Sequence, residues 1–464
     1  MNKMIAALGL LFFTVLAVFS KPFNSDEAWN FLNINDFIVN KDYLDVVQQT
    51  INYQFKLYYK AWSSITSSPI TNYAIFRSVS LIFILSALFY IYKFAKEYFD
   101  DERMGFIAAL LYLFFATSAT STGIILRGEF VYSPIAAMLF SGLYLSFVCV
   151  SAKSKVYALV PVLLTPIAFS SHPVGLVLYF VVLLFILMYK DINIIKKVQL
   201  SCIYSVYYGA VFYFIAIYPH TFSEIMAGIK SLSGTRFKFW QEYYRYISLL
   251  SLGKEQVLFV ATSIAGLFLY FAKNGKEKYK KILWDRYLCI VFLSVLLFFF
   301  GITSKGMCYF SVLYFFFVFG FLNLIKIFSI NDKGLNFTIL FCVLILVTSL
   351  WTSIFTNEDF MRLMHIPNYR VARISNVEKI IANNKVIAPS SFYLLATNNA
   401  AEFFPLERCS VYGKTFENSR DFNFLIYPIK LSQDNIKKRL NLSRLKFMQA
   451  FTYQGEDFIL YKTK

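Results

Sequence analysis

The sequence predicts a polytopic α-helical membrane protein, of about eleven membrane helices, with a small α/β domain at its C-terminal end. The chain of 464 residues is 58% hydrophobic and only 16% charged, whereas soluble domains are about 45–50% apolar. Many of its apolar runs approach the roughly 20 helical residues that cross a hydrocarbon core of about 30 Å. After Trp351 the pattern changes, and polar and charged residues occur throughout 354–464.

The membrane part is predicted to cover residues 1–353. We expect its first apolar run to remain as an uncleaved span, because further spans follow it. Thr165-Pro166 and 171–173 predict an interruption between the fifth and sixth spans, with a re-entrant turn as one alternative. The predicted spans are 4–20, 75–92, 105–122, 134–150, 156–170, 174–189, 200–218, 256–272, 287–302, 309–325 and 335–353.

The basic residues predict the orientation of these spans. The formal net charge is +18, and most Lys and Arg residues lie in short segments between apolar runs. This pattern follows the positive-inside rule and favours membrane topology over nucleic-acid binding. The bias predicts a cytoplasmic N-terminus and an extracytoplasmic C-terminal domain. Heavy use of Phe, Ile, Lys and Asn is typical of an AT-rich genome, and we expect a bacterial inner membrane.

Two long segments, 21–74 and 219–255, are predicted to be external loops. Both place aromatic and basic side chains together, as Phe237, Trp240 and Arg236 do in the second loop. Such composition suits the headgroup region of a bilayer. An interfacial anchor and a substrate-binding role both remain open for these loops.

The C-terminal region, 354–464, is predicted to be a small α/β domain. Strand-like runs at 385–388, 422–427 and 457–461 alternate with helical stretches at 377–382 and 434–440. This alternation is typical of an α/β unit.

Several classes of site are excluded by the residues present. The six cysteines form no CxxC pair and the three histidines are far apart in sequence, so neither a thiolate site nor a three-histidine site is predicted. The sequence contains no phosphate-binding P-loop, no GxGxxG after a strand and no nucleophile elbow. We therefore expect no nucleotide cofactor.

Acidic residues mark two places at the predicted external surface. Asp26 and Glu27 follow the first span directly, within Asn24–Trp29. One interpretation is a helix N-terminus that Ser25 caps, and the other is a general base or a metal ligand. Glu129 lies beside Arg127 between the third and fourth spans, where ionisable residues are costly and tend to be paired or functional.

These acids predict a shared site. Asp26 and Glu129 would both lie at the outer surface, and carboxylate oxygens bind divalent cations. A divalent cation held by Asp26 and Glu129 is therefore a candidate cofactor. Simple pairing of Arg127 with Glu129 is the alternative.

A third candidate is Lys305. It lies in a short segment that ends at Tyr309, where the tenth predicted span begins. A lysine there either extends its ammonium group to the interface or binds a phosphate at the outer leaflet.

In their order, these motifs resemble the GT-C glycosyltransferases that use polyprenyl-phosphate sugars, in particular protein O-mannosyltransferases and the lipid A aminoarabinose transferase. Asp26-Glu27-Ala28 stands where that family has an acidic motif after its first helix. The aromatic stretch 54–59, which includes Tyr58, and the stretch 77–80 stand in the next two places. Glu129 matches a second acid, and 305–309 matches a Lys-Leu-Pro-x-Tyr-like turn at the same spacing.

The resemblance implies a transferase that moves a sugar from a polyprenyl-phosphate carrier to a glycan, lipid or protein acceptor at the bilayer. It implies Asp26, Glu27 and Glu129 as catalytic residues. It implies Lys305, Tyr309, Arg127, Arg236 and Tyr58 as substrate-binding residues. The sequence departs from the family where the proline pair near Gln54 is missing, and the C-terminal region has no Trp-Trp-Asp motif.

Other functions compete with this one. A polysaccharide polymerase or ligase of the envelope would use similar chemistry. A multispan transporter usually shows inverted repeats and broken helices at the midplane, and neither is evident in the sequence. A non-catalytic membrane scaffold is the remaining alternative.

Overall fold

The computed structural model is mostly helical over the residues that it describes. Those residues are 3–20, 69–117, 132–148, 155–171, 175–188, 192–214, 314–327, 332–357, 361, 369–389, 392, 395, 402–406, 422–429, 445–453 and 456–463. The predicted spans 256–272 and 287–302 and the predicted helix 434–440 lie outside the described residues.

Ten helices and five strands are described. The helices are α1 Lys3–Ser20, α2 Pro69–Phe99, α3 Glu102–Thr117, α4 Tyr132–Val148, α5 Lys155–Ser171, α6 Leu176–Met188, α7 Ile194–Phe212, α8 Tyr314–Ile327, α9 Asp332–Thr356 and α10 Tyr369–Ile381. The strands are β1 Lys385–Ala388, β2 Glu402–Pro405, β3 Phe424–Pro428, β4 Leu445–Tyr453 and β5 Glu456–Thr463.

Two of the described helices are long and apolar enough to cross a membrane by length and composition: Arg77–Phe99 within α2 and Lys333–Trp351 within α9. Shorter apolar helices cover Ala6–Ser20, Pro134–Leu143, Leu176–Leu187 and Tyr314–Lys326. The described part of the chain thus supports a helical membrane protein, with fewer clear spans than the eleven that the sequence predicts.

These elements form two compact units. The first contains α1 up to Val18, α2 from Phe76, α3 to α8, and α9 up to Ser349. The second contains Phe19 and Ser20, the start of α2 up to Ile75, and the described residues from Leu350 onwards.

Aromatic side chains form the centre of the first unit. Phe319 of α8 lies 5.5 Å from Phe94 and 5.2 Å from Tyr98 of α2, measured between ring centroids. Phe140 of α4 lies 4.6 Å from Phe316. Helices in a membrane are not driven together by the hydrophobic effect, so direct contacts of this kind stabilise their packing.

A tight turn joins α2 to α3. Asp100 has a φ of 54°, and the Asp101 N–H donates to the Lys96 carbonyl at 3.2 Å, as in a Schellman C-cap. The Asp101 carboxylate then accepts the Arg103 N–H at 2.9 Å, which caps the start of α3. The two helices therefore run in opposite directions.

Small residues let helices approach closely. A Cβ built on Gly105 of α3 would lie 2.8 Å from the carbonyl oxygen of Tyr92 in α2. A Cβ on Gly142 of α4 would lie 2.8 Å from Cγ of Pro161 in α5. Glycine at these positions is typical of membrane helix interfaces.

Pro166 does not interrupt its helix, contrary to the predicted break at Thr165-Pro166. The helix α5 is continuous and contains both Pro161 and Pro166. Proline at 166 cannot donate to the Val162 carbonyl, and the Thr165 hydroxyl donates to that oxygen instead, at 2.7 Å. The freed backbone group is thus satisfied within the unit, which is what a membrane helix with an internal proline requires.

The second unit contains a mixed five-stranded sheet in the order β2-β1-β3-β5-β4. The strand β1 pairs in parallel with β2 and β3, whereas β5 pairs antiparallel with β3 and β4. One face of the sheet packs on α10 through Ile374, Val377 and Ile381. Phe392 joins this core by stacking on Tyr453 at 4.4 Å.

Two asparagines of this unit lie at the ends of helices and strands. Asn383, with a φ of 59°, follows α10 in the left-handed conformation that asparagine tolerates at helix ends. Asn423 accepts the Lys385 N–H at 3.0 Å through its side chain, which extends the β1–β3 pairing by one residue.

Candidate functional site

The structure describes helices that adjoin the predicted site residues in sequence, but not those residues themselves. Asp26, Glu27, Glu129, Lys305, Tyr309, Arg127, Arg236 and Tyr58 all lie outside the described residues. Their catalytic, substrate-binding and metal-binding roles therefore stay predictions.

The end of α1 meets the beginning of the long apolar part of α2. Arg77 is fully buried, and its Nη1 donates to the carbonyl oxygen of Val18 at 2.8 Å. Val18 lies in the last turn of α1, where carbonyl groups lack an N–H partner within the helix. A guanidinium there satisfies the carbonyl and complements the negative end of the helix dipole.

The end of α3 meets the beginning of α8. The rings of Phe115 and Tyr314 stack with centroids 4.9 Å apart. Beside them, Ser349 of α9 lies 3.5 Å from the Thr117 hydroxyl. Since α3 runs antiparallel to α2, Thr117 lies at the end of the helical unit where Arg77 is found.

We call this the exit end of the helical unit, defined by Val18, Arg77, Thr117 and Tyr314. The turn end, defined by Asp101 and Lys326, lies opposite, and the charge of Lys326 acts there on Asp101. In sequence, the segment that contains Asp26 follows α1, the segment that contains Glu129 follows α3, and the segment that contains Lys305 precedes α8. The structure thus shows two contacts between helix ends, Arg77 of α2 with Val18 of α1 and Phe115 of α3 with Tyr314 of α8.

The sequence did not predict the contact of Arg77 with Val18. In the sequence Arg77 belongs to the stretch 77–80, which resembles a family motif. A charged residue inside a long apolar helix is a signal in itself, because such residues are costly in a membrane and are usually paired.

A second polar group lies near the end of α9. In the second unit, Asn357 is only 3% exposed, and its Nδ2 donates to the Ser20 carbonyl at 2.8 Å. Ser20 is the last residue of α1. Nothing in the sequence around Asn357 predicts this contact.

Hydroxyl groups of α5, α6 and α7 form a hydrogen-bond network. Tyr204 and Thr165 lie 2.7 Å apart through their hydroxyl oxygens, and the Tyr207 hydroxyl donates to the Leu163 carbonyl at 2.7 Å. Tyr179 and Ser205 are joined at 2.8 Å. These bonds satisfy backbone and side-chain groups among the helices, so we assign the network a structural role.

Among the described residues, no three His, Cys, Asp or Glu side chains cluster in a way that holds a metal ion. The predicted ligands, Asp26 and Glu129, lie outside those residues. Their oxygen donors suit hard cations such as Mg²⁺ and Mn²⁺.

The chain has a weak structural similarity to proteins of known structure. No protein-family model and no curated protein matches the sequence. Among solved structures, a crystal structure of the Archaeoglobus fulgidus oligosaccharyltransferase, in complex with Zn and sulfate, is similar with a TM-score of 0.46 and 11% sequence identity. The match covers 93% of this chain and 69% of that chain. At this level the likeness assigns neither a family nor an activity to this chain.

Proposed function

We propose that this chain is a membrane glycosyltransferase that moves a sugar from a polyprenyl-phosphate carrier to a glycan, lipid or protein acceptor at the outer face of the membrane. The observation that carries the proposal is the exit end. There the last turn of α1 meets Arg77 at 2.8 Å, and Phe115 near the end of α3 stacks on Tyr314 at 4.9 Å. Each of these helix ends adjoins a segment with a candidate residue.

The acidic segments supply the proposed base. Asp26 comes six residues after α1 ends at Ser20, and Glu129 comes three residues before α4 begins at Tyr132. A connection of six residues spans at most about 20 Å, which limits how far Asp26 can lie from the end of α1. In this proposal Asp26 is the general base and Glu129 is a second acid that orients the substrate.

The basic segment supplies the proposed phosphate-binding group. Lys305 precedes the start of α8 at Tyr314 by nine residues. An ammonium group there would stabilise the negative charge that develops on the phosphate as it leaves. Tyr309, Arg127, Arg236 and Tyr58 are proposed to bind the rest of the donor.

The proposed reaction is an in-line displacement. Asp26 accepts the proton of an acceptor hydroxyl, and the hydroxyl oxygen forms a bond to the anomeric carbon of the donor sugar. The bond from that carbon to the phosphate oxygen breaks, and the polyprenyl phosphate leaves with the electron pair. A divalent cation bound by Asp26 and Glu129 would supply further charge neutralisation.

The test compares two neighbouring acids in purified full-length protein. Asp26→Asn keeps the shape and the helix-capping ability of the side chain, and should lower the transfer rate on the order of 10²-fold or more. Glu27→Gln removes a similar charge one residue away and separates the roles of the two adjacent acids, both of which the resemblance implies as catalytic. Near-normal transfer by Asp26→Asn, or complete loss with Glu27→Gln alone, would overturn the assignment of Asp26.

The membrane orientation needs a separate test. A reporter that is active only outside the cytoplasm, fused after Lys464, should be active in cells. Activity of a cytoplasm-only reporter at the same position would contradict an outer-face site.

A further inference from the structure

We infer that one edge of the sheet in the second unit docks on the surface of a bilayer that contains anionic lipids. The docking surface lies at the end of the β4–β5 hairpin that is remote from its turn. We call Lys446, Phe447, Met448 and Lys462 the open-end patch. The inference concerns the second unit alone and does not depend on the proposed sugar transfer.

Two lysines of the open-end patch stand opposite each other. Lys446 of β4 pairs with Lys462 of β5 in the antiparallel register, and both side chains are exposed. Directly opposite residues have Cβ atoms about 4.5–5.5 Å apart, and like charges at that distance destabilise a sheet. An anionic phosphate group bound beside both lysines would offset this repulsion through charge-assisted hydrogen bonds.

The charges of the hairpin are separated along its length. Its two acidic residues, Glu456 and Asp457, lie at the turn end, where the Thr452 hydroxyl donates to Asp457 at 2.7 Å. Five residues of strand separate Asp457 from Lys462, or about 17 Å. That distance exceeds the Debye length of about 8–10 Å at physiological salt. The two acids therefore do not neutralise the lysines at the open end.

Apolar side chains are exposed in the same patch. Phe447 is 58% exposed and Met448 is 39% exposed, although the Phe447 ring lies 6.5 Å from the buried ring of Tyr461. Tyr461 belongs to a buried cluster with Ile387 and Leu425 on this face of the sheet. The exposed pair thus continues an apolar surface beside two lysines. Amphipathic composition of this kind suits the interface of a bilayer, where lysines reach the phosphates and apolar groups enter the acyl boundary.

The form of the edge favours a lipid surface over another strand. Among the described strands β4 lies at the edge of the sheet, and its register shifts between Phe447 and Gln449. Irregular pairing and lysines on an edge strand disfavour the addition of a further strand. Successive residues of a strand point to opposite faces, so an edge-on approach brings Lys446 and Phe447 to the same planar surface.

The chain itself supplies a tether for this contact. The second unit begins at Leu350, within the apolar segment Lys333–Trp351 that is long enough to cross a membrane. A tethered unit meets lipid at a high effective concentration, so a weak contact is sufficient for docking.

The experiment measures the depth of position 448 in the full-length protein. A nitroxide is attached to Met448→Cys in a chain whose six native cysteines are replaced. The protein is placed in nanodiscs of phosphatidylcholine, with or without phosphatidylglycerol. Oxygen concentrates in the bilayer, whereas a nickel chelate stays in water. With phosphatidylglycerol the label at 448 should be relaxed mainly by oxygen, and a label at Glu456→Cys mainly by the nickel chelate.

The lysines of the patch are tested by substitution. A lysine near an anionic surface contributes about fivefold to binding, so Lys446→Gln combined with Lys462→Gln should lower the ratio of docked to undocked protein roughly 25-fold. Lys379→Gln changes an exposed lysine of α10 and should leave the ratio as in the wild type. High salt should lower the ratio in the wild type, because it screens exposed charges.

Amide hydrogen exchange supplies a second measurement on the chain with its native cysteines. In nanodiscs with phosphatidylglycerol, amides of 446–450 should exchange about fivefold more slowly, or slower still, than in phosphatidylcholine alone. Amides of 424–428, in the interior of the sheet, should exchange equally in both.

Three results would overturn the inference. The first is a label at 448 that remains accessible to the nickel chelate in both lipids, with unchanged exchange at 446–450. The second is an oxygen accessibility that the paired lysine substitutions do not change. The third is dipolar broadening between labels at 448, which would assign the edge to a second copy of the chain. Loss of sugar transfer has no bearing on these outcomes, so this inference and the proposed function fail separately.

Discussion

Asn357 and Ser20 are 337 residues apart in sequence, yet the Asn357 amide nitrogen donates to the Ser20 carbonyl at 2.8 Å. The backbone of Asn357 also takes part, since its carbonyl accepts the Met361 N–H at 3.0 Å. This asparagine therefore ties the end of α1 to the residues that follow α9.

Two buried asparagines allow a direct test of what this bond contributes. Asn357 is bonded, whereas Asn323 of α8 is fully buried and neither side-chain atom has a partner in the described structure. Asn357→Leu should destabilise the protein by about 1–3 kcal/mol, because it leaves the Ser20 carbonyl buried without its donor.

Asn323→Leu is the matched substitution. It removes a buried polar group that is already unsatisfied, so it should be neutral or stabilising. Unfolding in a denaturant series, in detergent or nanodiscs, measures both changes. Equal effects of the two substitutions would contradict the assignment of the Asn357 bond.

Gly105 and Gly209 predict opposite effects of the same substitution. A Cβ on Gly105 would lie 2.8 Å from a backbone oxygen of Tyr92, whereas one on Gly209 would have no atom within 4 Å. Gly105→Ala should therefore force α2 and α3 apart and destabilise the protein. Gly209→Ala should be neutral or stabilise it by up to about 1 kcal/mol, through helix propensity. Thermal unfolding of the two variants measures the difference, and a stable Gly105→Ala protein would show that the helices separate easily.

The Thr165 hydroxyl is predicted to replace the backbone N–H that Pro166 lacks. Thr165→Val keeps the shape of the side chain, but leaves the Val162 carbonyl without the bond at 2.7 Å and Tyr204 without its partner. The expected loss is about 1–3 kcal/mol of unfolding free energy.

Thr338→Val is the control for this change. Thr338 donates to Gly334 at 2.9 Å, but Thr338, unlike a proline, also has a backbone N–H for that carbonyl. Thr338→Val should therefore lower the unfolding free energy only slightly. A denaturation midpoint that is equally low in both variants would refute the role of the Thr165 hydroxyl in supporting the proline.

Asp101 predicts a pH dependence at the turn end. Burial by itself would raise the pKa of Asp101, but hydrogen bonds from the side chain and backbone of Arg103, and the charges of Arg103 and Lys326, hold that pKa below its usual value. The stabilisation is therefore fully present above the unfolded pKa of about 3.9. It is lost as the pH falls through the lower pKa of the folded state.

The expected contribution of the Asp101–Arg103 pair to the unfolding free energy is small, on the order of 1 kcal/mol or less, because the pair is partly exposed. Asp101→Asn should remove this part of the pH dependence and make stability less sensitive to salt. Unfolding measured from pH 7 to about pH 3, in low and high salt, tests the assignment. An unchanged acid transition in the variant would contradict it.

Lys305 is predicted to bind the phosphate of the donor. Lys305→Ala should raise the donor KM or lower the rate of transfer, because the leaving phosphate loses its counter-charge, while the protein stays folded. Lys333→Ala, a change on the exposed first turn of α9, is the control. Unchanged dependence on donor concentration in Lys305→Ala would reject the role.

The sequence alone predicted most of the described elements. Apolar runs and strand-like runs are local signals, and the predicted span 4–20 and strand 385–388 correspond to α1, Lys3–Ser20, and β1, Lys385–Ala388. The candidate residues also came from local motifs, and they remain predictions because they lie outside the described residues.

The contacts between distant residues were decided by the tertiary structure. The sequence did not show that Arg77 would reach Val18, that Asn357 would reach Ser20, or that α5 would continue through Pro166. It also did not show that α2 would extend over Pro69–Phe99, well beyond the predicted 75–92. Local sequence patterns report which backbone conformation and which burial a segment favours. The partner of a buried polar group depends on which helix ends meet after folding, because such a group is stabilised only by a donor or acceptor that packing brings within about 3 Å.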